Sequence, residues 1–151
     1  MFEQKQVPAN LYLSAKTSLT LSDIPAYADS IIPKLYEEAE ALCLDITGAS
    51  EFIYMGSDGC EDTVFELLIV LPIKARREQP VAFSYFESAP FTCACLDYRG
   101  SMADIGTGWG RLMDSVMQSG LSVTDQCREV YTTWLGFDSE ENITELQVGV
   151  I

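Results

Sequence analysis

The chain has 151 residues, 48% of them hydrophobic, which suffices for the core of one domain without a metal or disulfide to staple it. Nine Lys and Arg against 23 Asp and Glu leave a formal net charge of −14. A surface this acidic repels phosphate backbones, so direct nucleic-acid binding is excluded from the expectations, while cations are concentrated near it.

The opening residues, Met1-Phe2-Glu3-Gln4-Lys5-Gln6, lack the apolar run of a signal peptide, and no stretch approaches the ~18 apolar residues of a membrane span. The expected setting is the cytoplasm, without membrane attachment. Cysteines 43, 60, 93, 95 and 127 follow no framework spacing, which suits reduced thiols, and Cys93 and Cys95, alternating on one strand face, read as buried small hydrophobes. With no histidine and no second cysteine pair beside Cys93 and Cys95, a zinc site lacks ligands.

In chain order, Val7 to Leu19 reads as a first strand with imperfect alternation. Ser22 offers an N-cap, and Ile24, Ala28, Ile31, Leu35, Ala39 and Leu42 then recur at three- and four-residue spacing, an amphipathic helix. Pro33 inside that pattern predicts a kink or a fresh helix start capped by Ser30. Two strands follow, Glu51 to Met55 and Thr63 to Ile73, joined by a reversal at Gly56-Ser57-Asp58-Gly59. Lys74 to Pro80 is a polar crossover, and Val81 to Phe86 adds a short strand.

Phe91 to Tyr98 is the next strand. A second helix runs from about Ala103 to Gln118, ended by Gly120. Glu129 to Leu135 and Ile143 to Ile151 read as two closing strands around an acidic turn, Asp138 to Asn142. The order strand-helix-strand-strand therefore occurs twice, over about 7–73 and 81–151, within one domain of residues 1–151. The fold class is α+β, with a mainly antiparallel sheet, two main helices and a groove at the pseudo-twofold where a ligand can sit.

The residues Asp97-Tyr98-Arg99-Gly100-Ser101, the helix containing Trp109, Arg128-Glu129-Val130-Tyr131, the acidic turn and Thr144-Glu145-Leu146 resemble the gyrase-inhibitor-like (GyrI-like) small-molecule-binding domain. That family includes the effector-binding domains of multidrug-responsive and AraC-type transcription regulators. Gly149-Val150 stands where its members usually carry proline-valine. The resemblance implies a stand-alone domain whose aromatic pocket holds a buried glutamate and receives cationic or amphipathic organic molecules.

Glu129 and Tyr131 share one face of their strand, and a desolvated carboxylate beside a phenol calls for a compensating positive charge. Tyr131 also offers a ring for stacking. Trp109 sits in an apolar helix stripe that can serve both core and ligand; Tyr98 and Trp134 are weaker candidates of the same kind. Glu66 and Glu145 occupy corresponding places in the two repeats, either as outward guards against strand aggregation or as inward charges, and Tyr54 can wall the other side.

Gly106-Thr107-Gly108-Trp109-Gly110 lacks the lysine of a phosphate-binding loop and the spacing of a dinucleotide fingerprint, so it reads as an irregular first helical turn, and no cofactor is expected. The leading expectation is a binding module for a small organic ligand rather than an enzyme. A hydrolase using Glu129 as base and Tyr131 to polarise the leaving group is the alternative. A protein-interaction or gyrase-modulating module comes third, and a homodimer or protein partner stays open.

Overall fold

A computed structural model describes residues 2–151. Its strands are β1 (Glu3–Val7), β2 (Leu11–Leu19), β3 (Glu51–Met55), β4 (Phe65–Pro72), β5 (Ser84–Glu87), β6 (Phe91–Arg99), β7 (Val123–Thr133) and β8 (Ile143–Val150), with helices α1 (Ile24–Ala41) and α2 (Ile105–Gln118). All eight strands form one antiparallel sheet in the order β1-β6-β8-β7-β3-β4-β2-β5, which makes the fold α+β as the sequence implies. Among the described residues no helix is long and apolar enough to cross a membrane.

The strand order is symmetric about the β7–β3 seam: β8 mirrors β4, β6 mirrors β2 and β1 mirrors β5. The expected strand Val7 to Leu19 corresponds to β2, with only its first residue, Val7, belonging to β1. Pro8 donates no hydrogen bond and the chain leaves the ladder over residues 8–10, and Glu3 to Gln6, given no strand by the sequence, form the rest of β1. Each repeat thus has a leading strand, and each leading strand is exchanged: β1 pairs with β6 of the second repeat and β5 with β2 of the first.

This exchange bends the sheet. A flat sheet would hold β1 and β2 six strand spacings apart, about 29 Å, whereas the four steps from Val7 to Leu11 reach at most about 14 Å. The equally short link from Glu87 to Phe91 joins the same two edges. The edges therefore curl towards each other, and the face turned inwards is buried without any helix: Tyr12, Ile53, Leu68 and Val70 pack there with Met55 and Phe86.

Both helices lie on the opposite face. Ile24, Tyr27, Ala28 and Ile31 of α1 pack with Leu13, Ala15, Leu67 and Ile69, while Ile105, Trp109 and Leu112 of α2 pack with Ala94, Tyr98 and Leu146. α1 runs through Pro33 without a break; Pro33 and Asp29 one turn earlier are exposed, so the carbonyl that loses its partner meets solvent. Its start differs from the expected Ser22 cap: Thr20 caps a short 3-10 turn, Leu21–Asp23, in which Asp23 Oδ2 accepts from Thr20 N at 3.3 Å and Thr20 Oγ1 at 3.0 Å, and that turn leads into α1.

The glycine-rich start of α2 is regular helix, not the irregular turn expected. Gly108 is buried against the Tyr98 ring, where an added Cβ would stand 2.7 Å from Tyr98 Cδ1. The small residues there admit a close helix–sheet contact.

Candidate functional site

The seam between the repeats sets the site. Along β3, Phe52 and Tyr54 project to the helix face; along β7, Cys127, Glu129 and Tyr131 do the same, with Phe52 opposite Glu129 and Tyr54 opposite Cys127 in the register. Trp109 of α2 reaches the seam from above. Strand alternation in two repeats and one helical turn thereby bring three donors onto one carboxylate.

Glu129 is 6% exposed. Its Oε1 accepts from Tyr54 Oη at 3.0 Å and Tyr131 Oη at 2.6 Å, and its Oε2 accepts from Trp109 Nε1 at 2.8 Å. Among the described residues no lysine or arginine forms an ion pair with it. A buried carboxylate is thus held by neutral donors alone, an unusual arrangement because buried charges are normally paired. Burial above all, and then the charge of Glu129, push the phenols of Tyr54 and Tyr131 well above the ordinary tyrosine range. Burial likewise lifts the Cys127 thiol to about 11.

Aromatic rings extend outwards from this cluster. Phe52 meets Tyr131 edge-on at 4.9 Å between ring centres, and Tyr131 meets Trp134 edge-on at 5.8 Å. Trp134 lies beyond the end of β7, where strict alternation no longer holds it to the face opposite Tyr131, and it packs on Tyr131; half of it is exposed. Tyr54 in turn packs on Phe65.

The sequence-derived candidates therefore divide. Glu129, Tyr131, Trp109, Tyr54 and Trp134 come together. Tyr98 is buried under α2, its hydroxyl donating to the Ser101 carbonyl at 2.8 Å, as core. Glu66 and Glu145 occupy the other face of the sheet, where they pair with Lys16 and Lys5. Phe52 and Cys127 were missed, although both follow from alternation next to Tyr54 and Glu129.

The other face holds its own polar group. Arg128, 2% exposed, lies with its guanidinium carbon 4.3 Å from the Phe91 ring centre; Glu51 accepts from Tyr12 Oη at 3.2 Å on each oxygen. A cavity of about 600 Å³ opens on this face and not beside Glu129, lined by Ile53, Met55, Leu68, Phe86, Lys16 and Arg128 among others.

Neither a sequence-family model nor a curated protein matches the chain. Solved structures do. The EcmrR C-terminal domain superposes with a TM-score of 0.83 at 18% identity, covering 100% of this chain and 97% of that one. EcmrR in complex with DNA gives 0.83 at 20% identity, covering 99% of this chain and 57% of that one. SAV2435 bound to tetraphenylphosphonium gives 0.71 at 11% identity over 100% and 94% of the two chains. Together with the symmetric antiparallel sheet and its two helices, these likenesses show that the chain shares the fold of the EcmrR C-terminal domain and of SAV2435.

Proposed function

We propose that this protein binds small organic cations at Glu129. The observation that carries this reading is the buried carboxylate contacted by three neutral donors and, among the described residues, paired with no lysine or arginine. An ion in that state has hydrogen bonds but no counter-charge, and a ligand cation supplies one. The rings of Tyr131, Trp109 and Trp134 add faces for cation-π and stacking contact, each worth about 0.5 to 2 kcal/mol. The tetraphenylphosphonium bound by SAV2435, which shares the fold, supports the same ligand class. Five free thiols support a reducing, cytoplasmic setting, and the net charge of −14 supports cationic ligands over nucleic acid.

Tetraphenylphosphonium and the neutral triphenylphosphine oxide, titrated against the protein and Glu129→Gln, test this. The substitution is expected to weaken the cation by about thirtyfold or more, leaving the neutral compound within about twofold. Equal losses for both, or none, would overturn the reading.

A further inference from the structure

The segment between β7 and β8 holds a buried side chain that the Glu129 reading does not use. The last ladder partners of these strands are Thr133 and Ile143, so no strand pairing fixes the next residue, Trp134. Yet Trp134 stands edge-on to Tyr131, the phenol that donates to Glu129, and half of it is exposed. A ring on an unpaired, solvent-facing segment keeps one place only if its backbone is held.

Asn142 holds it. This residue is fully buried, and its side-chain amide spans the two residues after Trp134: Oδ1 accepts from Leu135 N at 2.7 Å, and Nδ2 donates to the Gly136 carbonyl at 2.6 Å. A carboxylate there would lose the donor, and an alanine would lose both bonds. The Asn142 carbonyl accepts from Gly100 N at 3.0 Å, and the Phe137 carbonyl accepts from Met102 N at 3.0 Å. The segment is thereby tied to the turn that leads into α2, which carries Trp109. Gly136 takes φ +123°, a conformation that favours glycine, and so lets the chain reverse directly after Trp134.

We propose that Asn142 is a positioning residue for the Glu129 site: its amide holds the backbone after Trp134 so that the indole stays on Tyr131 as a wall for the ligand. The inference rests on the Glu129 reading for where the ligand sits. Asn142, being fully buried, acts through Trp134 and not by contact. A ring fixed before the ligand arrives loses no freedom on binding, whereas a loose one gives up part of its contact energy to ordering.

The test titrates tetraphenylphosphonium and neutral triphenylphosphine oxide against the full chain, Asn142→Ala, Trp134→Ala and the double variant. Trp134→Ala is expected to weaken the cation about fivefold, and Asn142→Ala to give about the same loss. The double variant should bind no more weakly than Trp134→Ala alone, because the amide has nothing left to position. In Asn142→Ala the Gly136 carbonyl keeps the Ser139 amide at 3.2 Å, and the released Leu135 N–H belongs to an exposed residue. Should that variant fail to fold, Gly136→Ala replaces it: the added Cβ meets nothing within 4 Å but strains the backbone, and the cation is expected to weaken about threefold. With Trp109→Phe in the background, Trp134 is the one tryptophan left. There Asn142→Ala should lower the fluorescence anisotropy of Trp134 and raise its quenching by acrylamide, which a loss of global stability in a still folded chain does not do.

Wild-type affinity in Trp134→Ala or Asn142→Ala, additive losses in the double variant, or unchanged Trp134 fluorescence would sink the proposal, even where Glu129→Gln weakens the cation as expected. Equal losses of cation and oxide in Glu129→Gln would instead remove the cation reading, while non-additive Asn142 and Trp134 losses still support the positioning role.

Discussion

Tyr54 and Glu129 come from different repeats and meet across the β3–β7 seam, the phenol donating to the carboxylate at 3.0 Å. The bond ties the two halves together at the point where their sheets join. It also means that the carboxylate belongs to neither half alone, since Tyr131 and Trp109 approach it from the second repeat only.

Tyr54→Phe removes this donor without removing the charge. Glu129 Oε1 keeps Tyr131, so the expected loss is that of one charge-assisted hydrogen bond, about 2 kcal/mol. The urea midpoint should fall with an unchanged slope. Tetraphenylphosphonium affinity should hold or improve, because the carboxylate is less satisfied; a loss as large as that of Glu129→Gln would assign binding to the phenol instead.

Alkaline pH should separate these phenols from ordinary ones. An unfolded tyrosine releases its proton near about pH 10, and folding raises Tyr54 and Tyr131 well above that. Folding therefore favours the protonated phenol: this contribution is whole below about pH 10 and is lost as pH rises from there towards the folded values. Melting temperatures measured upwards from about pH 9 should fall steeply past 10, and Tyr54→Phe combined with Tyr131→Phe should flatten that fall.

Thiol reactivity should be ranked by burial. Cys43 and Cys60 are exposed, whereas Cys127 is lifted to about 11 and Cys95 to about 12. Since the thiolate is the nucleophile, Cys127 at about pH 8 should react roughly a thousandfold more slowly than an unhindered thiol of similar nucleophilicity with pKa near 8. Mass spectrometry after timed iodoacetamide labelling should find positions 43 and 60 first, and the rest only in denaturant.

Glycines in α2 should respond in opposite directions. Gly108→Ala places a methyl 2.7 Å from Tyr98 Cδ1 and 3.0 Å from Leu146 Cδ1, forcing α2 off the sheet at a cost of about 1–3 kcal/mol. Gly110→Ala meets open space and should stabilise the helix by up to about 1 kcal/mol. Displacement of α2 also pulls on Trp109, so Gly108→Ala should shift the tryptophan fluorescence, and Gly110→Ala should not.

Sequence by itself determined the order of the helices and of every strand but β1, the two repeats, the helix stripes and the pairing of Glu129 with Tyr131, because period-2 and period-3.6 patterns are local properties of the chain. Tyr54 was legible through the repeat equivalence, and Trp109 through its place in the stripe of α2. The exchange of β1 and β5 was not, since a five-residue and a four-residue edge strand carry too little pattern to name their partners. Only the tertiary structure decided which face each glutamate takes: Glu66 and Glu145 look like Glu129 in an apolar strand, but pairing register turns them to the curled face, where lysines meet them. It likewise decided that adjacent residues Arg128 and Glu129 look in opposite directions, the arginine towards the cavity and the glutamate towards three donors from both repeats, because successive side chains of one strand alternate while their partners arrive from distant sequence.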